Sequence, residues 1–194
     1  MKTKALRRKI ERLESGLVEQ NEKIAELKRR LPAEEVKDYL LAGPEGKVRL
    51  SELFRGKKDL IIIHNMGRSC RYCTMWADGF NGLRAHVADR AGFAVVSPDA
   101  VATQQRFAAS RGWLFPFYSG KGSTFIKDMG YLPKPDEPMP GVSTFRRKGR
   151  KIYRIATAGF GPFDSFCPTW PLFALLDGGV GEWAPQFRYP NQKA

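Results

Sequence analysis

Residues 59–75 read Asp-Leu-Ile-Ile-Ile-His-Asn-Met-Gly-Arg-Ser-Cys-Arg-Tyr-Cys-Thr-Met, a short apolar run followed by two cysteines. The run at 60–63 is largely β-branched, too short for a helix and apolar on both faces, which is typical of a central parallel strand. It leads directly to Cys70 and Cys73. If Cys70 stands at a helix N-terminus and Cys73 lies one turn further in, their sulfurs can exchange between a dithiol and a disulfide. The stretch therefore predicts thiol chemistry at the junction of a strand and a helix.

The composition fits one domain of ordinary size with an appendage. The chain has 194 residues, 42% of them hydrophobic, with 13 Phe, 6 Tyr and 4 Trp available for a core. Its formal net charge of +13 could attract an acidic partner such as nucleic acid or anionic lipid. Charge alone is weak evidence, because a soluble enzyme can also carry it, and we expect no nucleic-acid role.

Hydropathy and cysteine usage bear on the compartment. The longest apolar run, at 60–63, is far shorter than the roughly 18 residues of a membrane span, so we expect none. Residues 1–30 are charged throughout and lack the apolar segment of a secretory signal. We therefore expect a cytoplasmic protein. There, an odd set of three cysteines is better explained by redox or metal chemistry than by structural disulfides.

Residues 1–31 show a heptad pattern. The apolar seam positions are Leu6, Ile10, Leu13, Leu17, Ile24, Leu27 and Leu31. This spacing of four and three continues if Gln20 fills one polar seam position, and it predicts a long helical arm that Pro32 ends. Two interpretations stay open. The helix packs on its own domain, or it is a coiled coil that joins two copies through residues 6–31 with Gln20 setting the register.

The chain after the cysteines alternates helices with strands. An amphipathic helix ends near 90–92, a buried strand covers 93–96, and Ser97-Pro98-Asp99 resembles an N-cap that opens a helix through Gly112. Strand, helix, strand, helix predicts right-handed crossovers and a parallel sheet core. The remaining expected elements are hairpins around 43–46 and 146–151, a strand at 113–118, an irregular connection at 131–141 and a helix at 170–176.

This order of elements resembles the thioredoxin superfamily, and within it a bacterial thioredoxin-like domain family of unknown function, described as predicted dithiol-disulfide oxidoreductases. The segments that carry the resemblance are 37–39, 43–48, 50–54, 70–82, 112–119 and 140–145. The resemblance implies an α/β class and a thioredoxin-like three-layer fold with a mixed central sheet. We expect this domain at 32–178, after a helical arm at 1–31 and before a C-terminal tail at 179–194.

Two positions depart from the resembled families. The link at 65–69 between the strand and Cys70 is short and basic, where related proteins carry a longer, acidic segment. Ser143 stands where thioredoxin has a cis-proline that holds an extended substrate against its cysteines. Serine at this place is closer to peroxiredoxin-like relatives, yet the Pro and Thr upstream of their peroxidatic cysteine are missing here. These departures predict substrates or chemistry different from those of thioredoxin.

The expected catalytic residues are Cys70 as nucleophile and Cys73 as resolving thiol. Unpaired backbone N–H groups and the helix dipole, together with the charges of Arg68 and Arg71, predict a lowered pKa for Cys70. His64, at the end of the strand, is a candidate for tuning the thiols. Tyr118 and Ser143 are candidates for lining the site only through the family resemblance.

A zinc site would need two further ligands beside the thiol pair, from His64, His86 or Cys167. There is no second Cys-x-x-Cys and no His pair, so we expect neither a metal nor another cofactor. The expected substrate is a protein or small-molecule thiol or disulfide. Three hypotheses remain: a dithiol-disulfide oxidoreductase, a thiol-dependent peroxidase, and a non-enzymatic redox-responsive interaction module partnered through the arm.

Overall fold

The computed structural model describes residues 2–190 as helices arranged around one eight-stranded mixed sheet. The helices are α1 (Lys2–Arg30), α2 (Arg71–Arg90), α3 (Val101–Arg111), α4 (Phe125–Asp128) and α5 (Thr169–Ala174), with a 3-10 helix at Leu50–Phe54. The strands are β1 (Glu34–Val36), β2 (Leu40–Gly43), β3 (Gly46–Arg49), β4 (Asp59–His64), β5 (Gly92–Ser97), β6 (Phe117–Ser119), β7 (Gly141–Lys148) and β8 (Lys151–Gly159). This confirms the predicted α/β class, the mixed central sheet and the long N-terminal helix.

The sheet order is β1-β8-β7-β4-β5-β6-β2-β3, which places β4 near the middle. β4 pairs in parallel with β5 and antiparallel with β7, so both of its edges are covered. α2 joins β4 to β5, and α3 joins β5 to the parallel β6. The predicted strand-helix-strand-helix unit is therefore confirmed, and the cysteines follow the carboxyl end of its first strand.

The side chains of β4 feed two separate cores, one on each face of the sheet. Leu60 and Ile62 pack into a first cluster with Phe125. Ile61 and Ile63 pack into a second cluster that contains Trp76 from α2. The uninterrupted apolar run of this strand is thus explained by burial on both faces. α2 lies over the face that carries the second cluster.

The start of α3 differs from the prediction. Ser97 is the last residue of β5 and is fully buried, and α3 begins at Val101, after Ala100. The buried amide of Gln104 donates a 2.7 Å hydrogen bond to the hydroxyl of Ser97. That hydroxyl therefore binds a side chain within the core and does not cap the helix. The Ser-Pro pair is part of the loop between β5 and α3.

Three short elements also differ. The strand expected at 113–118 is limited to Phe117–Ser119. The backbone N–H groups of Trp113 and Leu114 donate instead to the carbonyl of Ala108 and the side chain of Asn81. β1 pairs with β8, and α4 follows the loop after β6; neither was predicted, since three or four residues carry too little periodic pattern. The two predicted hairpins are present as β2–β3 and β7–β8.

α1 runs for 29 residues and leaves its apolar seam open. The seam side chains, from Leu6 to Leu31, are between 45% and 64% exposed, so the described part of the chain does not cover them. Among residues 2–190, no helix combines the length and the apolar character that crossing a membrane requires.

The C-terminal segment packs against the domain. Residues 179–190 contain no helix or strand, but the ring of Trp183 lies 4.7 Å from that of Phe173 and 6.2 Å from that of Trp170. Two residues of the expected tail, Val180 and Trp183, therefore pack against the second cluster. The end of that tail, 191–194, lies outside the described residues.

Candidate active site

Cys70 is the N-cap of α2, and Cys73 lies in its first turn. The sulfur of Cys70 accepts a hydrogen bond from the backbone N–H of Cys73, with 3.1 Å between the two atoms. Cys70 is partly exposed, Cys73 is buried, and both are free thiols. A sulfur at this position uses one of the N–H groups that a helix leaves unpaired at its start.

The two thiols differ in acidity. The pKa of Cys70 is lowered to about 7, chiefly because the side chain of Cys73 hydrogen-bonds to its sulfur, with further help from the backbone N–H groups of Cys73 and Tyr72. The same hydrogen bond and burial raise the pKa of Cys73. All the groups that lower the pKa of Cys70 thus belong to the first turn of α2. Near neutral pH the pair therefore holds one sulfur that is ionised in about half of the molecules next to one protonated sulfur.

Two polar side chains fix the loop between β4 and Cys70. The side-chain oxygen of Asn65 accepts the N–H of Gly67 at 2.8 Å, and the carboxylate of Asp99 accepts the N–H of Arg68 at 2.7 Å. Gly67 has a φ of +108°, and a Cβ there would lie 3.0 Å from Asp99 Oδ2. Its carbonyl accepts the N–H of Cys70 at 3.1 Å. The loop that precedes Cys70 is therefore fixed by hydrogen bonds to side chains that follow β4 and β5.

Asn65 and Asp99 were not predicted to belong to the site. Each follows the carboxyl end of one of two adjacent parallel strands, β4 and β5. Functional side chains collect at such ends in α/β sheets, so this position was the available signal. Asp99 was assigned instead to the start of a helix.

A cleft of about 530 Å³ opens over Cys70. Its lining residues are Met66, Ser69, Cys70, Arg71, Tyr72, Pro98, Leu132, Asp136 and Pro138. The walls come from the loop before α2, the loop after β5 and the Pro-rich connection at 132–138. Arg71 and Asp136 give the cleft one basic and one acidic group, and Cys70 contributes a thiol to its wall. Arg68 lies on the adjoining loop with an exposed side chain.

His64 and Ser143 form a buried pair on the other side of the sheet. The Nε2 atom of His64 lies 2.9 Å from Oγ of Ser143, and its ring stacks on Tyr131 with 3.7 Å between centroids. These partners belong to the side of the first cluster, whereas α2 packs on the second. Burial, aided by the charge of Arg154, lowers the pKa of His64 to about 3, so its imidazole is neutral. The two side chains are only 2% and 0% exposed and do not line the cleft.

Tyr118 lies at a third place. It lines a separate opening beside the β2–β3 turn, and a Cβ on Gly43 would be 2.9 Å from its ring. The structure therefore brings Cys70, Cys73 and Arg71 together and leaves His64, Ser143 and Tyr118 elsewhere. In residues 2–190, no group of three or more His, Cys, Asp or Glu side chains is arranged to hold a metal ion.

The mixed sheet, with a thiol pair at the start of the helix after its central strand, defines a protein of the thioredoxin superfamily. Over residues 3–188 the sequence matches the family described as "Bacterial protein of unknown function (DUF899)", and the chain belongs to that family. No curated protein matches the sequence.

Two solved structures illustrate the similarity of fold. Peroxidoxin BcpB from Mycobacterium tuberculosis has a TM-score of 0.52 and 25% sequence identity, over 66% of this chain and 84% of that chain. A peroxiredoxin-like protein from Aquifex aeolicus has a TM-score of 0.51 and 16% identity, over 66% of this chain and 74% of that chain. The domain is thus similar to peroxiredoxin and thioredoxin-like proteins, which supports a redox function.

Proposed function

We propose that the protein is a thiol-disulfide oxidoreductase in which Cys70 is the nucleophile and Cys73 the resolving thiol. One observation carries the proposal: the sulfur of Cys70 caps α2 and accepts hydrogen bonds from Cys73, which lowers its pKa to about 7. A thiolate populated at neutral pH, partly exposed in a cleft, is the reactive form of cysteine. Its partner one turn deeper is placed to complete the exchange.

The reaction transfers two electrons. The Cys70 thiolate attacks one sulfur of the substrate disulfide, so that an S–S bond forms to Cys70 and the other substrate sulfur leaves as a thiolate. Cys73 then gives up its proton and attacks the sulfur of Cys70, which releases the second substrate thiolate and leaves a Cys70–Cys73 disulfide. The substrate is reduced and the protein is oxidised. An external dithiol or thiol reductant, in a reducing cytoplasm, would restore the pair.

The test is capture of the mixed disulfide. Cys73→Ser should accumulate an adduct on Cys70 when the protein is mixed with a disulfide, and Cys70→Ser should accumulate none. Intact mass and peptide mapping identify the bonded cysteine, and Cys167→Ser is the control for the third thiol. Equal adducts on Cys70→Ser and on Cys73→Ser would contradict the assignment of the nucleophile.

A thiol-dependent peroxidase is the second candidate, and the 25% identity to a peroxidoxin favours it. In that reaction the thiolate attacks a peroxide oxygen to give a sulfenic acid and water or an alcohol, and Cys73 then forms the disulfide with loss of water. Hydrogen peroxide consumption would distinguish the candidates. If the wild type consumes peroxide no faster than Cys70→Ser, the peroxidase is excluded.

For the arm, we propose a homodimer through residues 6–31. The support is the exposed seam of α1, a heptad repeat of apolar side chains that a coiled coil would bury between two helices. Ile10, Leu17, Ile24 and Leu31 share one heptad position, and Leu6, Leu13 and Leu27 share the other. In sedimentation experiments, Leu13→Lys with Leu27→Lys should convert a dimer to a monomer. A wild type that is monomeric at high concentration would contradict the proposal. A non-enzymatic redox-responsive module would bind its partner through the same exposed seam of α1.

A further inference from the structure

The turn at 161–164, in the loop after β8, has an unusual conformation. The N–H of Asp164 donates to the carbonyl of Gly161 at 3.1 Å, and the Asp164 carboxylate accepts the N–H groups of Gly161 at 2.9 Å and Phe166 at 2.7 Å. Phe163, inside this turn, has a φ of +69°. This left-handed conformation favours glycine, and a bulky side chain there is strained. Strained residues of this kind are concentrated at functional sites.

Phe163 presents an aromatic ring to solvent beside the thiol cleft. It is 68% exposed, and its ring centroid lies 5.6 Å from that of Trp170 in α5. The ring of Trp170 lies 6.2 Å from that of Tyr72, which lines the cleft together with Cys70. Two ring contacts therefore connect the exposed Phe163 to Tyr72 in the wall of the cleft. We name Tyr72, Phe163 and the underlying Trp170 the aromatic surface.

The aromatic surface also contains a hydrogen-bond donor without an acceptor. Trp170 is 3% exposed, and within the described part of the chain its indole N–H finds no partner. Buried N–H groups are nearly always paired, so an orphaned one needs an explanation. The ring of Phe163 packs directly on that of Trp170.

These observations together point to a polypeptide. We propose that the aromatic surface binds an apolar side chain of a polypeptide substrate close to its reacting cysteine, with a peptide carbonyl accepting from Trp170. A peptide supplies both an apolar side chain and a carbonyl, whereas a small hydrophilic disulfide would occupy the cleft alone. The inference rests on the proposed function of Cys70 and names the substrate class: disulfides in polypeptides with exposed apolar residues.

The test compares two synthetic peptides that each carry one cysteine as a mixed disulfide. One peptide has Leu and Phe near the cysteine, and the other has Ser at those places. The wild type should react about tenfold faster with the apolar peptide, and Phe163→Ser should remove this preference. Its rate with bis(2-hydroxyethyl) disulfide should be unchanged. Leu114→Ser is the matched control, because Leu114 is also 68% exposed but contacts Asn81 near the middle of α2.

Phe163→Gly is a second variant that controls for misfolding of Phe163→Ser. Glycine accepts a φ of +69° without strain, so this variant should keep or gain stability and still lose the preference. Equal rates with both peptides, or a preference that survives in both Phe163 variants, would overturn the inference. If the wild type reduces no disulfide at all, the proposed function fails. Calorimetry with the same peptides carrying Ser for Cys then tests peptide binding independently of thiol chemistry.

Discussion

The backbone N–H of Cys73 lies 3.1 Å from the sulfur of Cys70, and the side chain of Cys73 hydrogen-bonds to the same sulfur. In the proposed reaction, one residue therefore both stabilises the thiolate of Cys70 and supplies the resolving thiol. The same hydrogen bond raises the pKa of Cys73, so its thiol stays protonated next to the more acidic Cys70. The difference in pKa between Cys70 and Cys73 thus arises within one turn of α2.

Removing the side-chain donor should raise the pKa of Cys70. In Cys73→Ala we expect a pKa above the wild-type value of about 7, closer to the free thiol value of about 8.5. Cys73→Ser retains a hydroxyl donor and should lie nearer to the wild type. The measurement is the pH dependence of alkylation of Cys70 in a Cys167→Ser background. Identical titrations for Cys73→Ala and Cys73→Ser would contradict this explanation.

Asp99 should act as a positioning residue for Cys70. Its carboxylate holds the N–H of Arg68, and Asp99→Asn keeps an oxygen acceptor there while Asp99→Ala does not. We expect Asp99→Ala to raise the pKa of Cys70 and to slow its reaction with disulfides by roughly tenfold. Asp99→Asn should stay close to the wild type. If Asp99→Asn slows the reaction as much as Asp99→Ala does, the charge of Asp99 matters and its hydrogen bond to Arg68 does not.

The arginines should contribute less to the acidity of Cys70 than the sequence suggests. Arg68 and Arg71 are exposed, and the groups that lower the pKa of Cys70 are in the first turn of α2. We expect Arg71→Ala to leave that pKa within about half a unit of the wild type. Because Arg71 lines the cleft, Arg71→Ala should lose more of the wild-type rate with anionic disulfides than with neutral ones. A large rise in the pKa of Cys70 in Arg71→Ala would instead support the prediction from the sequence that the arginine charges lower this pKa.

His64 should make stability depend on pH. The folded protein keeps its imidazole neutral down to about pH 3, whereas the unfolded chain binds a proton near pH 6.5. Between these values the unfolded state binds more protons, so the free energy of unfolding falls as the pH is lowered, by up to about 1.4 kcal/mol per pH unit. Urea unfolding of the wild type and His64→Gln between pH 7 and 5 measures this contribution. If the free energies of unfolding of the wild type and of His64→Gln change with pH in parallel, His64 does not make this contribution.

The sequence was sufficient for the central unit of the fold because the pattern there is local. Four apolar residues in succession indicated a strand buried on both faces, and the Cys-x-x-Cys spacing indicated a helix start. Both are present, with Cys70 as the N-cap. The long helix α1 and its apolar seam were also predictable, since a heptad repeat depends on short sequence intervals, but the sequence did not indicate whether the domain covers this seam.

The rest of the site depends on contacts that sequence order does not contain. In a strand apolar on both faces, nothing indicates which side His64 occupies, and it packs on Tyr131, away from α2. Asp99 reaches Arg68 across 31 positions of the chain. The strained Phe163 lies in a loop whose sequence resembles ordinary Gly-Pro turns. Such features follow from tertiary packing.

The central claim is that Cys70 and Cys73 interconvert between dithiol and disulfide. The most direct measurement is equilibration of the native protein with mixtures of oxidised and reduced dithiothreitol, followed by acid quenching, alkylation and peptide mapping. We predict a reversible two-electron transition in which Cys70 and Cys73 become linked while Cys167 stays free. A protein that keeps both thiols reduced across the full range, or forms disulfides only through Cys167, would contradict the account.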